Sequence, residues 1–312
     1  MKQMFDEQVP LIRHSNYKIG GPARYFYASK KIEGIEKAVV KARQWKLPLF
    51  ILGGGTNLLI SDDGFNGLII KPEINTFKIE GDRARVGAGY SMTQLLDNLI
   101  AKGLSGFEWA GGLPGTVGGA VRGNAGAFGG ETKDLVSEVT SLDISGRMPK
   151  IVKRNNQQCR FGYRNSIFKE NDGREIILEV VFQLKKGDKK AIKTAIEEKI
   201  QYRQERQPLD YPNIGSIFKN VSTQKYQNIN LSKFKQVIKN DPFPVIPTAY
   251  LISEAGLKGV AFGGAMVSPK HPNFIVNALG AKASDVKNLI SLVKLEVYRK
   301  FKIKLEEEIV YL

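Results

Sequence analysis

Glycine is concentrated in one part of this chain. Of its 32 glycines, 19 lie between Gly53 and Gly130, in a sequence of 312 residues. Glycine lets the backbone approach a ligand closely and adopt conformations that other residues resist. Long helices are disfavoured where glycine is this dense. The sequence therefore predicts ligand-wrapping loops here, with little more than a short turn of helix inside them.

Two glycine loops stand out in this region. The first, GGGTNLL at 53–59, follows a short apolar strand, and the second, GGLPGTVGGAVRGNAGAFGGE, covers 111–131. Successive N–H groups in such loops form a nest that binds anions, so the pair predicts a diphosphate cofactor. A plain turn and a flexible surface loop are the alternatives. Leu113, Val117 and Val121 argue against a flexible surface loop at 111–131, because a free linker is polar.

Several familiar motifs are absent. The chain has no G-x-G-x-x-G, no Gly-Lys-Ser/Thr and no G-x-S-x-G, and only Cys159 and two histidines are available as soft ligands. A Rossmann site, a Walker A loop, a serine hydrolase elbow and a zinc cluster are therefore not expected, and no metal is predicted. A lone cysteine is compatible with a reducing compartment. Without an apolar leader or a long apolar run, the chain is expected to be cytoplasmic and not membrane-bound.

The net charge of +16, from 47 Lys and Arg against 31 Asp and Glu, indicates an anionic partner. Nucleic acid, an acidic membrane surface and a phosphorylated metabolite all fit that description. No aromatic motif typical of RNA-binding modules occurs, which argues against a nucleic-acid partner.

Apolar periodicity predicts an α+β chain. Helices are expected at 33–46, 91–104, 189–207, 250–256 and 284–302, with Ser91 and Ser284 as N-caps and Gly103 as a C-terminal stop. Strands are expected at 49–52, 68–71, 138–145, 175–184 and 273–279, with a hairpin at 77–89 and a last strand within 305–312. The predicted segments are 1–73, 74–206 and 207–312.

Four other motifs carry polar residues with an open interpretation. YRNSIFK contains Arg164, GSIFKN contains Ser216, EEE contains Glu308, and SPKHPNFIVN contains His271. Each has a structural alternative: a surface cation, a turn residue, a solvated edge charge and a packed histidine, respectively. Their spacing alone does not bring them together.

Taken in order, the motifs resemble those of the UDP-N-acetylenolpyruvoylglucosamine reductase family. The matching strings are NYKIGGPARYF, ILGGGTNLLISDDGF, GLPGTVGGAVRGNAGAFGGE, YRNSIFK, GSIFKN, LISEAGLKG, GGAMVSPKHPNFIVN and LEEEI. The resemblance implies a two-lobed FAD-binding domain of the vanillyl-alcohol-oxidase (PCMH) type, with lobes at 1–73 and 74–206. It implies a C-terminal α/β substrate-binding domain at 207–312.

The resemblance also implies a reaction in peptidoglycan precursor synthesis. NADPH reduces FAD, flavin N5 gives hydride to C3 of UDP-N-acetylglucosamine enolpyruvate, and C2 then receives a proton. The implied partners are the UDP-sugar and NADPH, with no nucleic acid, membrane or obligate protein partner. A related FAD-dependent oxidase with another substrate is the alternative.

The resemblance assigns roles residue by residue. Arg164 would bind the substrate carboxylate, Ser216 would donate the proton, and Glu308 would lie beside the enolate, protonated or paired with Arg164. Lys219 and Asn220 would lie near the substrate diphosphate, with Lys270 and His271 on a substrate-domain loop. The implied FAD contacts are Gly53, Gly54, Gly55, Thr56, Asn57, Leu58, Pro114, Gly115, Thr116, Gly118, Gly119, Asn124 and Gly126.

The chain departs from the family pattern in a few places. Thr56 replaces a common serine and Ile309 a valine, both conservatively, whereas Tyr17 replaces a small hydroxyl residue. Phe128 stands where tyrosine is frequent, so a phenolic hydrogen bond to substrate is lost. No long insertion carrying a tyrosine occurs between Leu184 and Ser216, which indicates the shorter type of the family.

Overall fold

The computed structural model describes residues 4–226 and 231–312, and the chain groups into two compact units. Unit 1 holds the chain up to Val9, then Ala23–Gly54 and Phe65–Arg203; unit 2 holds Pro10–Pro22, Gly55–Gly64 and Gln204–Leu312. Two early segments, 10–22 and 55–64, thus cluster with the C-terminal part of the chain. The three-part division at 73 and 206 stays a prediction.

The helices and strands have the following bounds. The helices are α1 Ile32–Gln44, α2 Met92–Lys102, α3 Val117–Gly123, α4 Ile167–Glu170, α5 Lys189–Arg206, α6 Thr248–Glu254 and α7 Ala283–Phe301. The strands are β1 Asp6–Pro10, β2 Pro22–Ser29, β3 Leu49–Ile51, β4 Leu58–Leu59, β5 Phe65–Pro72, β6 Phe77–Glu80, β7 Arg83–Gly87, β8 Leu104–Ser105, β9 Gly126–Ala127, β10 Gly130–Glu131, β11 Val136–Asp143, β12 Lys150–Asn155, β13 Glu175–Gln183, β14 Lys185–Lys186, β15 Val221–Ser222, β16 Lys239–Asn240, β17 Pro244–Ile246, β18 Ala261–Phe262, β19 Ala265–Val267, β20 Ile275–Asn277 and β21 Val310–Tyr311.

Unit 1 contains a four-stranded sheet in the order β1-β2-β5-β3, in which β2 and β3 both run parallel to β5. Helix α1 covers it with Ile35 and Val39, which pack with Leu68 and Ile70 in one buried cluster. The 3.6-residue apolar spacing that predicts α1 is the stripe that faces the sheet. Strand β3 therefore ends at the first glycine loop with its carboxyl end fixed by the sheet.

A second sheet of unit 1 has the order β12-β11-β13-β7-β6 and is antiparallel throughout. Helices α2, α3 and α5 share its apolar core, which includes Leu95, Val121 and Ile196. The predicted caps of α2 are confirmed: Gln94 N donates to Ser91 Oγ over 3.2 Å, and Gly103 ends the helix with φ of 64°. The short helix α3 lies inside the second glycine loop.

Unit 2 is built on small sheets, β15-β17-β16 and β18-β19-β20, and on the parallel pair of β4 and β21. Helix α7 packs over them with Val286 and Val293. The prediction that Ser284 caps α7 is wrong, because the helix starts at Ala283. The N–H groups of Ala283 and Ser284 instead donate to the Asp62 carboxylate over 2.6 and 3.1 Å. A carboxylate distant in sequence therefore accepts hydrogen bonds from the first N–H groups of α7, which the sequence assigned to a local cap.

Within residues 4–226 and 231–312, no helix combines the length and the apolar character that crossing a bilayer requires.

Candidate active site

The two glycine loops touch through their backbones in unit 1. A Cβ atom added to Gly54 would lie 2.7 Å from the Cα atom of Gly115, and one added to Gly53 would lie 3.0 Å from Thr116 Oγ1. Side chains at these positions would force the loops apart. Close approach of the two backbones is thus the structural reason for glycine here.

The loops present hydrogen-bond donors that the protein does not use. In the described parts of the chain, the backbone N–H groups of Gly53, Gly54, Gly115 and Thr116 have no acceptor. In unit 2, the N–H groups of Gly55, Thr56 and Asn57 continue the first loop and likewise have none among the described residues. Gly54 and Asn57 are exposed, whereas the other five residues are buried or half-buried, where N–H groups are nearly always paired. These rows of donors therefore fit a diphosphate-bearing cofactor.

The start of helix α3 contributes less to anion binding than its glycines suggest. Val117 N donates to Tyr90 O and Gly118 N donates to Ala88 O, both over 2.9 Å, and Gly119 N donates weakly to Thr116 Oγ1 over 3.4 Å. The first-turn donors of this helix are therefore already engaged. Among the other predicted cofactor contacts, Gly119 and Pro114 are exposed, and Leu58 begins β4 with its side chain buried.

Arg164 lies on a tight turn of unit 1. Gly162 and Asn165 exchange both backbone hydrogen bonds, over 3.0 and 3.1 Å, and Arg164 has φ of +55°. A non-glycine residue in this region is strained, and such strain is found preferentially at functional sites. Asn124 Nδ2 donates to Gly162 O over 2.8 Å and its Oδ1 accepts from Lys133 N over 3.0 Å. Asn124 thus anchors the turn, and its predicted cofactor contact stays a prediction.

The guanidinium of Arg164 has a defined orientation. Nη2 donates to Gly126 O over 2.7 Å, and the guanidinium carbon lies 5.0 Å from the centre of the Tyr163 ring. Lys169 Nζ donates to the carbonyl of Arg164 over 3.0 Å, which holds the backbone as well. Gly126 therefore serves Arg164 through its carbonyl; a contact with FAD stays a prediction for it too.

Unit 2 brings Ser216 and Glu308 onto neighbouring extended segments. Phe218 and Glu307 form an antiparallel bridge, and Glu308 N donates to Ile217 O over 2.8 Å. Ser216 directly precedes Ile217, so its segment runs beside the segment that carries Glu308. Two segments that the sequence could not connect are thereby paired.

The first glycine loop also fixes the Glu308 segment. Asn57 Nδ2 donates to Glu308 O over 3.1 Å, and Val310 N donates to Asn57 O over 3.0 Å. Gly55 has φ of +65°, and a Cβ there would lie 2.0 Å from His14 O, so no other residue fits. The predicted cofactor residue Asn57 thus connects directly to the backbone of the predicted catalytic residue Glu308.

Lys219 and Asn220 follow Ser216 and have protein partners in unit 2. Lys219 Nζ contacts the carboxylate of Glu306, and this hydrogen bond lowers the pKa of Glu306 below its ordinary value. Asn220 Oδ1 accepts from Thr248 N over 3.1 Å at the start of α6. Lys219 therefore presents a cation already paired with one carboxylate, and an incoming diphosphate would compete with Glu306.

Lys270 and His271 lie on the loop before β20. Lys270 Nζ donates to Gln204 O over 2.7 Å, whereas His271 Nδ1 is buried and has no hydrogen-bond partner among the described residues. Burial, helped by the positive charge of Lys239, lowers the pKa of His271 below its ordinary 6.5. His271 packs edge-on against Phe274, with ring centres 4.8 Å apart. In the described ranges, no cluster of three or more His, Cys, Asp or Glu could hold a metal ion.

Two positioning features escaped the sequence reasoning. Asn273 is buried and pairs with both backbone groups of Phe218: its Nδ2 donates over 2.8 Å and its Oδ1 accepts over 3.1 Å. Tyr17, whose polar role the sequence left in doubt, is fully buried and donates its hydroxyl to Ile275 O over 2.7 Å. An asparagine directly before a strand is a signal for the first; nothing in the sequence signals the second.

Phe128, the residue that replaces a frequent tyrosine, is 36% exposed. Its ring lies edge-on to Tyr202 at 5.2 Å, and the Arg203 guanidinium carbon lies 5.3 Å from its centre. The ring is thus held by helix α5.

These features define a class. Residues 23–151 match a family model described as an FAD binding domain, and the loops of backbone donors lie within or beside that range. The chain is therefore a flavin-dependent oxidoreductase with an FAD-binding domain and a separate C-terminal domain. Residues 207–312 match a second model, described as the C-terminal domain of UDP-N-acetylenolpyruvoylglucosamine reductase.

Whole-chain comparisons agree with both matches. The chain is 38% identical over 301 residues to the UDP-N-acetylenolpyruvoylglucosamine reductase of Caldanaerobacter subterraneus subsp. tengcongensis, covering 96% of this chain and 91% of the relative. It is 38% identical over 310 residues to the enzyme of that name from Lachnoclostridium phytofermentans, covering 96% and 90%. The crystal structure of the Thermus caldophilus reductase superimposes with a TM-score of 0.76 at 29% identity, covering 98% of this chain and 99% of that one.

The chain belongs to the UDP-N-acetylenolpyruvoylglucosamine reductase family. The predicted resemblance is confirmed, as is the predicted fold class, a PCMH-type FAD-binding domain followed by a C-terminal domain of this family.

Proposed function

We propose that the chain catalyses the NADPH-dependent reduction of UDP-N-acetylglucosamine enolpyruvate to UDP-N-acetylmuramate, a step of peptidoglycan precursor synthesis. Family membership over almost the whole chain supports the activity. The observation that carries the assignment of residues is the antiparallel pairing that runs the Ser216 segment beside Glu308. The reaction consumes one hydride from NADPH and one proton.

FAD fits the donors that the loops leave free, namely the N–H groups of Gly53, Gly54, Gly115 and Thr116 and of the first loop's continuation through Asn57. When bound, FAD accepts hydride from NADPH and supplies it to C3 of the enolpyruvyl group. Glycine at 53 and 54 keeps side chains out of the space between the loops. The protein's own contribution is to hold this cofactor by its phosphates and to manage the charge and the proton on the substrate.

Arg164 is assigned to the substrate carboxylate. A planar guanidinium forms two parallel hydrogen bonds with a carboxylate, which a lysine cannot do. Hydride addition at C3 moves negative charge through C2 into this carboxylate, so the interaction strengthens as the transition state forms. The turn, the Gly126 carbonyl and the Tyr163 ring support the role because they fix the guanidinium before substrate arrives.

Ser216 is assigned as the proton donor to C2. An alcohol is a weak acid in water, but a carbanion at C2 is a far stronger base than water. The transfer needs the hydroxyl within hydrogen-bond reach of C2, which makes positioning the main requirement. The hydrogen bonds of Ile217 N to Asn273 O and of Glu308 N to Ile217 O, both 2.8 Å, support such positioning.

Glu308 is assigned to the charge that appears beside Ser216. It acts either as a protonated acid or as the partner of Arg164, and its segment is held by Asn57 and Ile217. Lys219 and Asn220 are assigned to the diphosphate of the substrate, with Lys270 and His271 nearby on the loop before β20. The high positive charge of the chain suits three polyanionic ligands: FAD, NADPH and the UDP-sugar.

We also propose a cytoplasmic location and no nucleic-acid, membrane or obligate protein partner. The single cysteine, Cys159, is compatible with a reducing compartment, and burial raises its pKa to about 12, which keeps the thiol unreactive.

Ser216→Ala tests the assignment, with Ser291→Ala on the exposed face of α7 as the matched control. We expect unchanged reduction of the Ser216→Ala enzyme by NADPH and reoxidation by the enolpyruvyl nucleotide slowed about 10²- to 10⁴-fold, the usual contribution of a general acid. Stopped-flow absorbance in the absence of oxygen measures both half-reactions. Equal slowing of both would contradict the role of Ser216. Fast reoxidation by oxygen, with no acceleration by the nucleotide, would contradict the proposed reaction itself.

A further inference from the structure

Glu131 is a buried carboxylate in the hairpin that contacts Arg164. It lies on β10 directly opposite Gly126 of β9, and its side chain is 6% exposed. Oε2 pairs with Lys133 Nζ over 2.5 Å, whereas Oε1 is buried and has no hydrogen-bond partner among the described residues. A buried charged oxygen without a hydrogen bond is destabilising, so its presence calls for a reason.

The unpaired oxygen faces the guanidinium. Glu131 Oε1 lies 4.0 Å from Arg164 Nη1, while Arg164 Nη2 donates to Gly126 O over 2.7 Å. The paired residues Gly126 and Glu131 of the hairpin therefore face the two terminal nitrogens of the Arg164 guanidinium. Gly126 packs closely against both side chains, since a Cβ added to it would lie 2.8 Å from Glu131 Cγ and 3.3 Å from Arg164 Nη1.

The ion pair with Lys133 uses one oxygen of Glu131 and leaves the role of the other oxygen open. The backbone N–H of Glu131 donates to the Asp134 carboxylate over 2.8 Å at the start of the following 3₁₀ turn, Thr132–Asp134. A glutamine at 131 would leave that hydrogen bond intact. The second carboxylate oxygen faces the Arg164 guanidinium, where the negative charge of Glu131 can interact with the cation.

We propose that Glu131 is a positioning residue for Arg164, and the inference rests on the proposed role of Arg164 in binding the substrate carboxylate. Its Oε1 holds the Nη1 side of the guanidinium while the Gly126 carbonyl holds Nη2. The plane of the guanidinium is thus set before substrate binds, and the separation of 4.0 Å shortens to a hydrogen bond in the complex. Lys133 pairs with Oε2 of Glu131 and holds the carboxylate in place.

Glu131→Gln tests the proposal because it keeps the cap and the shape and removes the charge. We expect reoxidation by the enolpyruvyl nucleotide to slow roughly 10- to 100-fold, the loss typical of a misplaced reacting group, with reduction by NADPH unchanged. Substrate affinity of the oxidised enzyme, measured by calorimetry, should fall as well. Glu175→Gln is the control, since Glu175 is equally buried and pairs with Arg154 over 2.6 Å, away from Arg164.

A double-mutant cycle separates positioning from general damage. If Glu131 acts through Arg164, Glu131→Gln should slow reoxidation of the Arg164→Lys enzyme by less than twofold. An undiminished loss in that background would overturn the proposal, and so would wild-type behaviour of Glu131→Gln alone. If Arg164→Lys itself leaves reoxidation fast, the proposed function of Arg164 fails instead. Should Glu131→Gln not fold, Glu131→Asp takes its place: it keeps the charge but moves it from Nη1, and the same cycle applies.

Discussion

Gly54→Ala is the sharpest test of the proposal that the two glycine loops hold FAD. The added Cβ would lie 2.7 Å from Gly115 Cα, 3.3 Å from Gly115 C and 3.4 Å from Thr116 N. Non-bonded carbon atoms prefer separations of about 3.5–4.0 Å, so the two loops must move apart by roughly 1 Å. The contact is with backbone on both sides, so no side-chain rotation relieves it. The φ of Gly54 is not positive, which leaves steric overlap as the cause.

The size of the effect follows from this displacement. Overpacking of this kind costs about 1–3 kcal/mol. The same movement shifts the N–H groups of Gly54, Gly115 and Thr116, which hold the diphosphate in our proposal. Because each 1.4 kcal/mol is a tenfold change in affinity, FAD should bind roughly 10- to 100-fold more weakly.

The assay is titration of the apoprotein with FAD, followed by flavin fluorescence. Gly146→Ala serves as the control, because the only atom within 4 Å of a Cβ added there is Met148 O, at an ordinary contact distance of 3.8 Å. Both variants are first checked for cooperative unfolding in urea. Wild-type FAD affinity in a folded Gly54→Ala protein would refute the view that these two loops hold the cofactor.

Two further predictions concern unit 2. Tyr17→Phe should lower the free energy of unfolding by about 1–2 kcal/mol in urea, since a buried hydroxyl and the Ile275 carbonyl lose a 2.7 Å hydrogen bond; unchanged stability would contradict this. His271 has a folded-state pKa below 6.5, so the unfolded chain takes up its proton first as the pH falls and the folded state loses stability below about pH 6.5. His271→Gln should therefore flatten the dependence of unfolding free energy on pH between about 7.5 and 5.5; equal slopes in the two proteins would argue against a buried neutral imidazole.

Regular elements with strong local signals could be predicted from the sequence. Helix α2 carries an apolar stripe, a serine cap and a glycine stop, and its structure follows each of them. Strand β2 was missed because its buried residues, Ala23, Phe26 and Ser29, do not follow strict alternation. Strand β12 was missed because Lys150, Ile151 and Lys153 are exposed, which leaves no apolar run. The start of α7 was misplaced because its partner, Asp62, is remote in sequence.

The candidate site shows the same limit. The glycine loops could be read directly, since few other roles explain so many glycines between apolar residues. The pairing of the Ser216 segment with Glu308 could not, because it depends on an antiparallel bridge between distant segments. The contact of Glu131 with Arg164 depends on the register of a two-residue hairpin, which no periodicity reports. For Ser216 and Glu308 only the family resemblance supplied a role, and for Glu131 the sequence supplied none.

The parallel pairing of β4 with β21 has a consequence for biosynthesis. Residues 58–59 leave the ribosome long before 310–311, so the early strand has to wait for most of the chain before its partner exists. Ser61 N also donates to Leu312 O over 2.5 Å, which extends the dependence. Nascent chains should therefore acquire the Asn57 anchor of Glu308 late, and deletion of residues 310–312 would remove the partner of the strand that follows the cofactor loop.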